Sequence, residues 1–136
     1  MRVMLDTNVL ISAIVLKSTT LNQMLEMIIN EHKLVLSSYV IEELKQVVSR
    51  KFKGKLGALD KFLTVLPYEF VYTPDAMDKD LFKIRDKMDY PVLYTAIIED
   101  VDILITGDKD FAEVEVEKPE ILTPAEFIAR YRKTEY

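Results

Sequence analysis

The chain contains no cysteine and only one histidine, His32. The first absence excludes disulfides, thiolate metal sites and cysteine nucleophiles. The second excludes a histidine-based zinc cluster or a histidine relay, both of which need partners this chain lacks. Glycine and proline are also scarce, at 3 and 5 residues in 136, and 49% of the chain is hydrophobic against 30% charged. That balance belongs to a compact folded chain and not to a disordered one. No apolar run approaches the roughly 18 residues of a membrane span, so a soluble cytoplasmic protein is expected. The net charge of -5 argues against indiscriminate electrostatic binding to nucleic acid, while leaving room for a local basic patch. Whatever chemistry the chain performs must therefore rest on carboxylates.

The length suits one domain, 1–136, able to bury roughly 68–70% of its unfolded surface. Short apolar runs read as strands at "RVMLD", "KLVLS", "EFVYT" and "DILIT", with a fifth expected within 114–122. Between them, "TNVLISAIVL", "TTLNQMLEMIINEH", "SYVIEELKQVVSRKF", "LGALDKFLTVL" and "DYPVLYTAIIED" carry helical periodicity. Ser18, Thr19 or Thr20 can cap the second of these, and Pro91 is tolerated in the first turn of the last. A final helix, "TPAEFIARYRK", opens with a capping box formed by Thr123 and Glu126 around Pro124. Near-continuous apolar strands alternating with helices imply an α/β fold: a three-layer α/β/α sandwich around a central parallel sheet.

Ligands of such sheets bind beyond the C-terminal ends of the strands. Asp6 ends the first expected strand and Asp108 the fourth, so their carboxylates converge if those strands are neighbours. Each alone also suits a turn or a helix cap. In the third helix, the stripe of Val40, Ile41, Leu44, Val47 and Val48 leaves Glu42 about 160° away, facing solvent, and Glu43 about 100° away, at the border between core and water. Asp89 falls on the inner line of Val92, Leu93, Ala96 and Ile97, which suits either a cap or an inward ligand; Asp86 is a weaker version of the same candidate. Several carboxylates in one crevice repel one another unless a cation neutralises them. An all-oxygen set selects Mg²⁺ or Mn²⁺, and the chemistry that follows is metal-assisted phosphodiester hydrolysis.

Four stretches, "MLDTNVLISA" at 4–13, "SSYVIEELKQVV" at 37–48, "RDKMDYPVLYTAI" at 85–97 and "DILITGDKDF" at 102–111, give the chain its resemblance to PIN (PilT N-terminus) domains, within them to the toxins of toxin–antitoxin systems, similar to VapC-type ribonucleases. The resemblance implies a PIN-like (Rossmann-like) fold, with Asp6, Glu43, Asp89 and Asp108 as the catalytic quartet binding Mg²⁺ or Mn²⁺. It implies supporting roles for Asn8 and Thr106, with Asp86 and Asp110 as alternatives or helpers beside Asp89 and Asp108. Gly107 is read as the residue that lets the chain turn after the strand, which favours Asp108 over Asp110. An RNA substrate, a partner antitoxin and a homodimer follow from the same resemblance. Phe62, Leu63 and Leu66 offer either an interface or core. Arg50, Lys51 and Lys53, Lys109, and "RYRK" at 130–133 are candidates for phosphate contact, and Tyr39, Tyr90 and Tyr94 for stacking on bases.

Two other classes remain: a PIN-like module that binds RNA or protein without cleaving, and a receiver-like phosphoacceptor. The second needs an adjacent acidic pair after the first strand, which "LDTN" lacks.

Overall fold

A computed structural model describes residues 1–132. Five strands, β1 (Arg2–Leu5), β2 (Lys33–Ser37), β3 (Glu69–Val71), β4 (Ile103–Ile105) and β5 (Glu120–Leu122), form one all-parallel sheet in the order β3-β2-β1-β4-β5. Among the described residues six α-helices flank it: α1 (Thr7–Leu10), α2 (Thr19–Glu31), α3 (Ser38–Lys51), α4 (Leu56–Val65), α5 (Tyr90–Ile98) and α6 (Pro124–Tyr131). The expected α/β/α layering and strand direction are those observed. No helix among the described residues is long and apolar enough to cross a membrane.

The three inner strands explain the layering. Val3 to Leu5, Leu34 to Leu36 and Ile103 to Ile105 are all buried, so both sheet faces are apolar and both must be covered. The covering helices meet the sheet with their apolar stripes: Val40, Leu44 and Val48 from α3, Val92, Leu93 and Ala96 from α5, and Met24, Leu25 and Ile28 from α2. Leu63 and Leu66 join this core, whereas Phe62 is half-buried.

Local signals set most of the boundaries. The Ser18 side chain accepts the Leu21 N–H at 3.3 Å and caps α2. Ser37 caps α3 through the Val40 N–H at 3.2 Å. The capping box of α6 forms in full, with Thr123 and Glu126 each bonding the other's backbone N–H. β2 spans its whole expected run, whereas β3 and β4 are shorter than theirs, pairing over only 69–71 and 103–105. The run after β1 is not one α-helix: α1 passes directly into a π-helical turn, Ile11–Val15. Lys133 of the expected basic C-terminal cluster lies outside the described residues.

Gly107 does not perform the role expected of it. No described glycine has a positive φ, and a Cβ on Gly107 would meet nothing within 4 Å. The left-handed positions are instead Lys17 and Asp100, both at φ 55°. The turn after β4 is made by side-chain hydrogen bonds, described below.

Leu104, fully buried at the centre of β4, tests the core. Leu104→Ala is expected to lower unfolding free energy by about 2–5 kcal/mol in urea titration, with an m-value unchanged from the parent chain.

Candidate active site

In this strand order the direction of winding reverses between β1 and β4, and the crevice at such a reversal is where parallel sheets bind ligands. The ladder brings Leu5 opposite Ile105, and the next residue continues it: the Asp6 N–H donates to the Ile105 carbonyl at 3.1 Å. Asp6 and Thr106 thus stand side by side, both buried, at 4% and 2% exposure. The Thr106 hydroxyl donates to Asp6 Oδ2 at 2.7 Å and accepts the Asp108 N–H at 3.1 Å. Asp108 Oδ1 in turn accepts the Asp110 N–H at 2.9 Å, capping the short 3₁₀ turn Lys109–Phe111. This relay turns the chain without a special backbone conformation at Gly107.

The remaining acids come from two further elements. Glu43 sits on α3, half-buried where Glu42 is exposed, as the helical rotation implies. Asp89 occupies the cap position of α5, yet its side chain caps nothing, and its Oδ2 is buried without a hydrogen-bond partner. Asp86 uses Oδ1 to accept the Met88 N–H at 2.9 Å. Oxygens of Asp86, Asp89 and Asp110 all lie within 4.8 Å of one another. Arg85 Nε meets Asp110 Oδ1 at 3.0 Å, a pair whose arginine is largely in solvent and whose aspartate is not.

Electrostatics ties these groups into one centre. Burial raises the Asp6 carboxyl above its ordinary value, the Thr106 and Thr7 hydrogen bonds oppose that, and Glu43 and Asp108 add to it. Burial raises Asp89 further, to about 8, with the Asp108 charge, a hydrogen bond to Asp108, and the charges of Asp6 and Asp86 behind it. Tyr39 is also raised, by burial first and then by Glu43, Asp89, Asp86 and Asp6. The four expected acids and Asp86 therefore act on one another, while the tightest geometric group is Asp86, Asp89 and Asp110.

Other expectations meet the structure differently. Asn8 is exposed, and among the described residues its side chain bonds no carboxylate. Its neighbour Thr7 is buried with an unpartnered hydroxyl, a position that nothing in the sequence distinguished. Arg50 and Lys51 end α3, and Lys53 follows them, at the sheet edge opposite the acids; Arg50 is about 10 Å along the helix from Glu43. Lys109, by contrast, lies between Asp108 and Asp110. Tyr39, Tyr90 and Tyr94 serve the 72–89 segment: Tyr39 donates to the Met88 carbonyl at 3.0 Å, Tyr94 accepts the Asp78 N–H at 3.2 Å, and Tyr90 bonds the Asp78 carbonyl. The Arg85–Asp110 pair escaped sequence reasoning because 25 positions separate its partners, although the basic residues of 79–87 were open to view.

A family model described as PIN domain matches residues 2–110. The chain belongs to the PIN domain family. Its structure is similar to a chain in the crystal structure of VapBC2 from Rickettsia felis bound to a DNA fragment from their promoter. That similarity has a TM-score of 0.68 at 25% identity and covers 90% of this chain and 97% of that one. Among curated proteins there is no match. For this PIN domain the donor chemistry suits a hard divalent cation: the side chains offer only oxygen, they repel one another, and the orphaned Asp89 Oδ2 has no other partner.

Two outcomes follow. Between the ordinary carboxylate value of 3.8 and about 8, the folded chain keeps a proton on Asp89 that the unfolded chain has lost. Stability in metal-free buffer is therefore expected to fall as pH rises through that window, as read by the thermal midpoint. Asp89→Asn flattens the trend, and Mn²⁺ raises the midpoint most at the alkaline end. Thr106→Val, which removes the 2.7 Å bond to Asp6, is expected to weaken Mn²⁺ binding by about 10–100-fold in calorimetric titration.

Proposed function

We propose that this PIN domain is a metal-dependent endoribonuclease, with Asp6, Glu43, Asp89 and Asp108 as the groups that hold Mg²⁺ or Mn²⁺. The observation that carries the reading is Asp89: a buried carboxyl oxygen with no partner, on a group whose pKa is lifted to about 8 by burial first and then by its acidic neighbours. A structural carboxylate has no reason to be held in that state, because burial without a partner costs free energy. A cation relieves the repulsion and replaces the proton. Held by Asp6, Glu43, Asp89 and Asp108, such an ion would supply positive charge at a phosphate and lower the pKa of a water molecule.

The chain's own groups do the positioning. Thr106 holds Asp6 in one orientation and spaces Asp108 from it. Asp110 and Asp86 act as outer supports, the first through Arg85 and the second through the Met88 N–H. Asn8, exposed beside Asp6, is placed to meet substrate more readily than to orient a carboxylate. Lys109 is the cation nearest Asp108 in the chain and the best placed of the expected basic residues for a phosphate. Arg50, about 10 Å along α3 from Glu43, with Lys51 and Lys53 beyond it, suits a phosphate farther along the RNA strand.

The similarity to a VapBC2 chain supports the further reading that this protein is the toxin of a toxin–antitoxin pair, acting in the cytoplasm as a homodimer restrained by an antitoxin. Light scattering of the purified chain, alone and mixed with a candidate antitoxin, tests the assembly.

One observation favours a module that binds without cutting: Arg85 already neutralises part of the acidic group through Asp110. Cleavage assays separate the two. The nuclease reading expects a single-stranded RNA to be cut with Mg²⁺ or Mn²⁺ and left intact in EDTA. Asp6→Asn and Asp108→Asn each reduce the rate by more than about 100-fold, beyond what loss of an outer hydrogen bond costs. Full activity in the doubly substituted chain refutes it.

A further inference from the structure

Beside the acids, the 72–89 segment has neither helix nor strand, and α5 holds it through the tyrosine hydrogen bonds and the stacked rings of Phe82 and Tyr90, 4.3 Å between centroids. Together they enclose a cavity of about 490 Å³. Its wall is apolar, with Met77, Phe82 and Pro91, and Lys79, Lys83 and Lys87 also line it. All three lysines are exposed, and among the described residues none makes an ion pair. Asp75 is the one acid that lines the space. Along the segment Lys79, Lys83 and Lys87 alternate with Asp78, Asp80 and Asp86, and of these six only the lysines line the hollow.

The hollow adjoins the carboxylates. Lys87 lies between Asp86 and Asp89, and Tyr90, also in the wall, is one residue from Asp89, about 3.8 Å between Cα atoms. On the other side of the ridge at Lys83 and Ile84, a second cavity of about 560 Å³ is lined by Lys109 and Asp110. The two hollows share Lys83 and Ile84, and Asp110, one of the clustered acids, lines the second together with Arg85 and Glu113. An apolar wall for a flat ring, with cations at its mouth, is the chemistry of a nucleotide freed from base pairing, since a paired base stays in its stack.

We propose that the 490 Å³ cavity holds one nucleotide of single-stranded RNA next to the bond to be cut, its base against Met77, Phe82 and Pro91 and its flanking phosphates on Lys83 and Lys87. This rests on the reading of the acids as the place of cleavage. It assigns the nucleotide beside the cut bond a place of its own and puts that nucleotide's phosphate contacts on the 79–87 segment.

The test measures binding apart from cleavage, by fluorescence anisotropy of a labelled oligoribonucleotide on the Asp6→Asn protein in Mg²⁺. Adding Lys83→Ala and Lys87→Ala is expected to weaken binding at least tenfold, and to lower the slope of log affinity against log salt by about 1.4. Circular dichroism checks that the variant is folded. One abasic substitution, moved along the RNA, is expected to cost about 5- to 150-fold at a single position, with no change to the protein. Unchanged affinity and slope in the lysine variant overturn the proposal, as does an abasic scan without a sensitive position. Equal affinity for a duplex, or for single-stranded DNA, overturns the assignment to unpaired RNA. Lysine-dependent binding by an intact protein that cuts nothing removes the nuclease reading alone. Undiminished cleavage and binding by the lysine variant remove only this one.

Discussion

The parallel pairing of β1 with β4 is the constraint on which the acidic centre depends. It sets Asp6 beside Thr106 at the reversal of the sheet, and the hydroxyl of Thr106 then serves two masters, donating to Asp6 and accepting from the Asp108 N–H. A one-residue slip in this register would carry Asp6 away from that hydroxyl and leave a buried carboxylate unsatisfied. The apolar residues of both strands resist such a slip, because all of them are buried. Core packing and site geometry are therefore one constraint, enforced by the same short ladder.

Around that pair the site is a balance of burial against charge. Asp6 is held by two hydrogen bonds that oppose its desolvation, while Asp89 has an oxygen with none. The two acids consequently answer the same environment differently: Asp6 is oriented, and Asp89 waits for a proton or a cation. Arg85 enters as a third participant from the solvent side, pairing with the mostly buried Asp110, to which Asp86 and Asp89 also lie close. The cost of gathering like charges at a sheet edge is set against the function they support, a pattern common to strained centres.

Residues reached the site by different routes, and their visibility in the sequence varied accordingly. Helical rotation put Glu43 only at the border of core and water, and the family resemblance named it as a ligand. Asp6 and Asp108 follow apolar runs, so their strand-end positions were open to inspection. Thr7 was not, since a hydroxyl buried beside an acid leaves no periodic trace. Gly107 invited a conformational reading that side-chain hydrogen bonds made unnecessary. The basic residues differ in placement: Arg50 and Lys51 stand in the last turn of α3, a helix length from the ligand edge, while Lys109 follows Asp108 directly.

By itself, then, the sequence determined the α/β/α class, the parallel direction of the strands, the capping region of α2 and the capping box of α6, and the carboxylate character of the candidate site. These are local matters of period, cap and composition, decided within a few residues. Only the tertiary structure decided the neighbours: β1 against β4, Asp110 against Arg85, Asp86 beside Asp89, and Lys83 and Lys87 around the hollow next to them. Those contacts join residues distant in the chain. Their energies depend on burial and mutual distance, which no run of residues carries on its own.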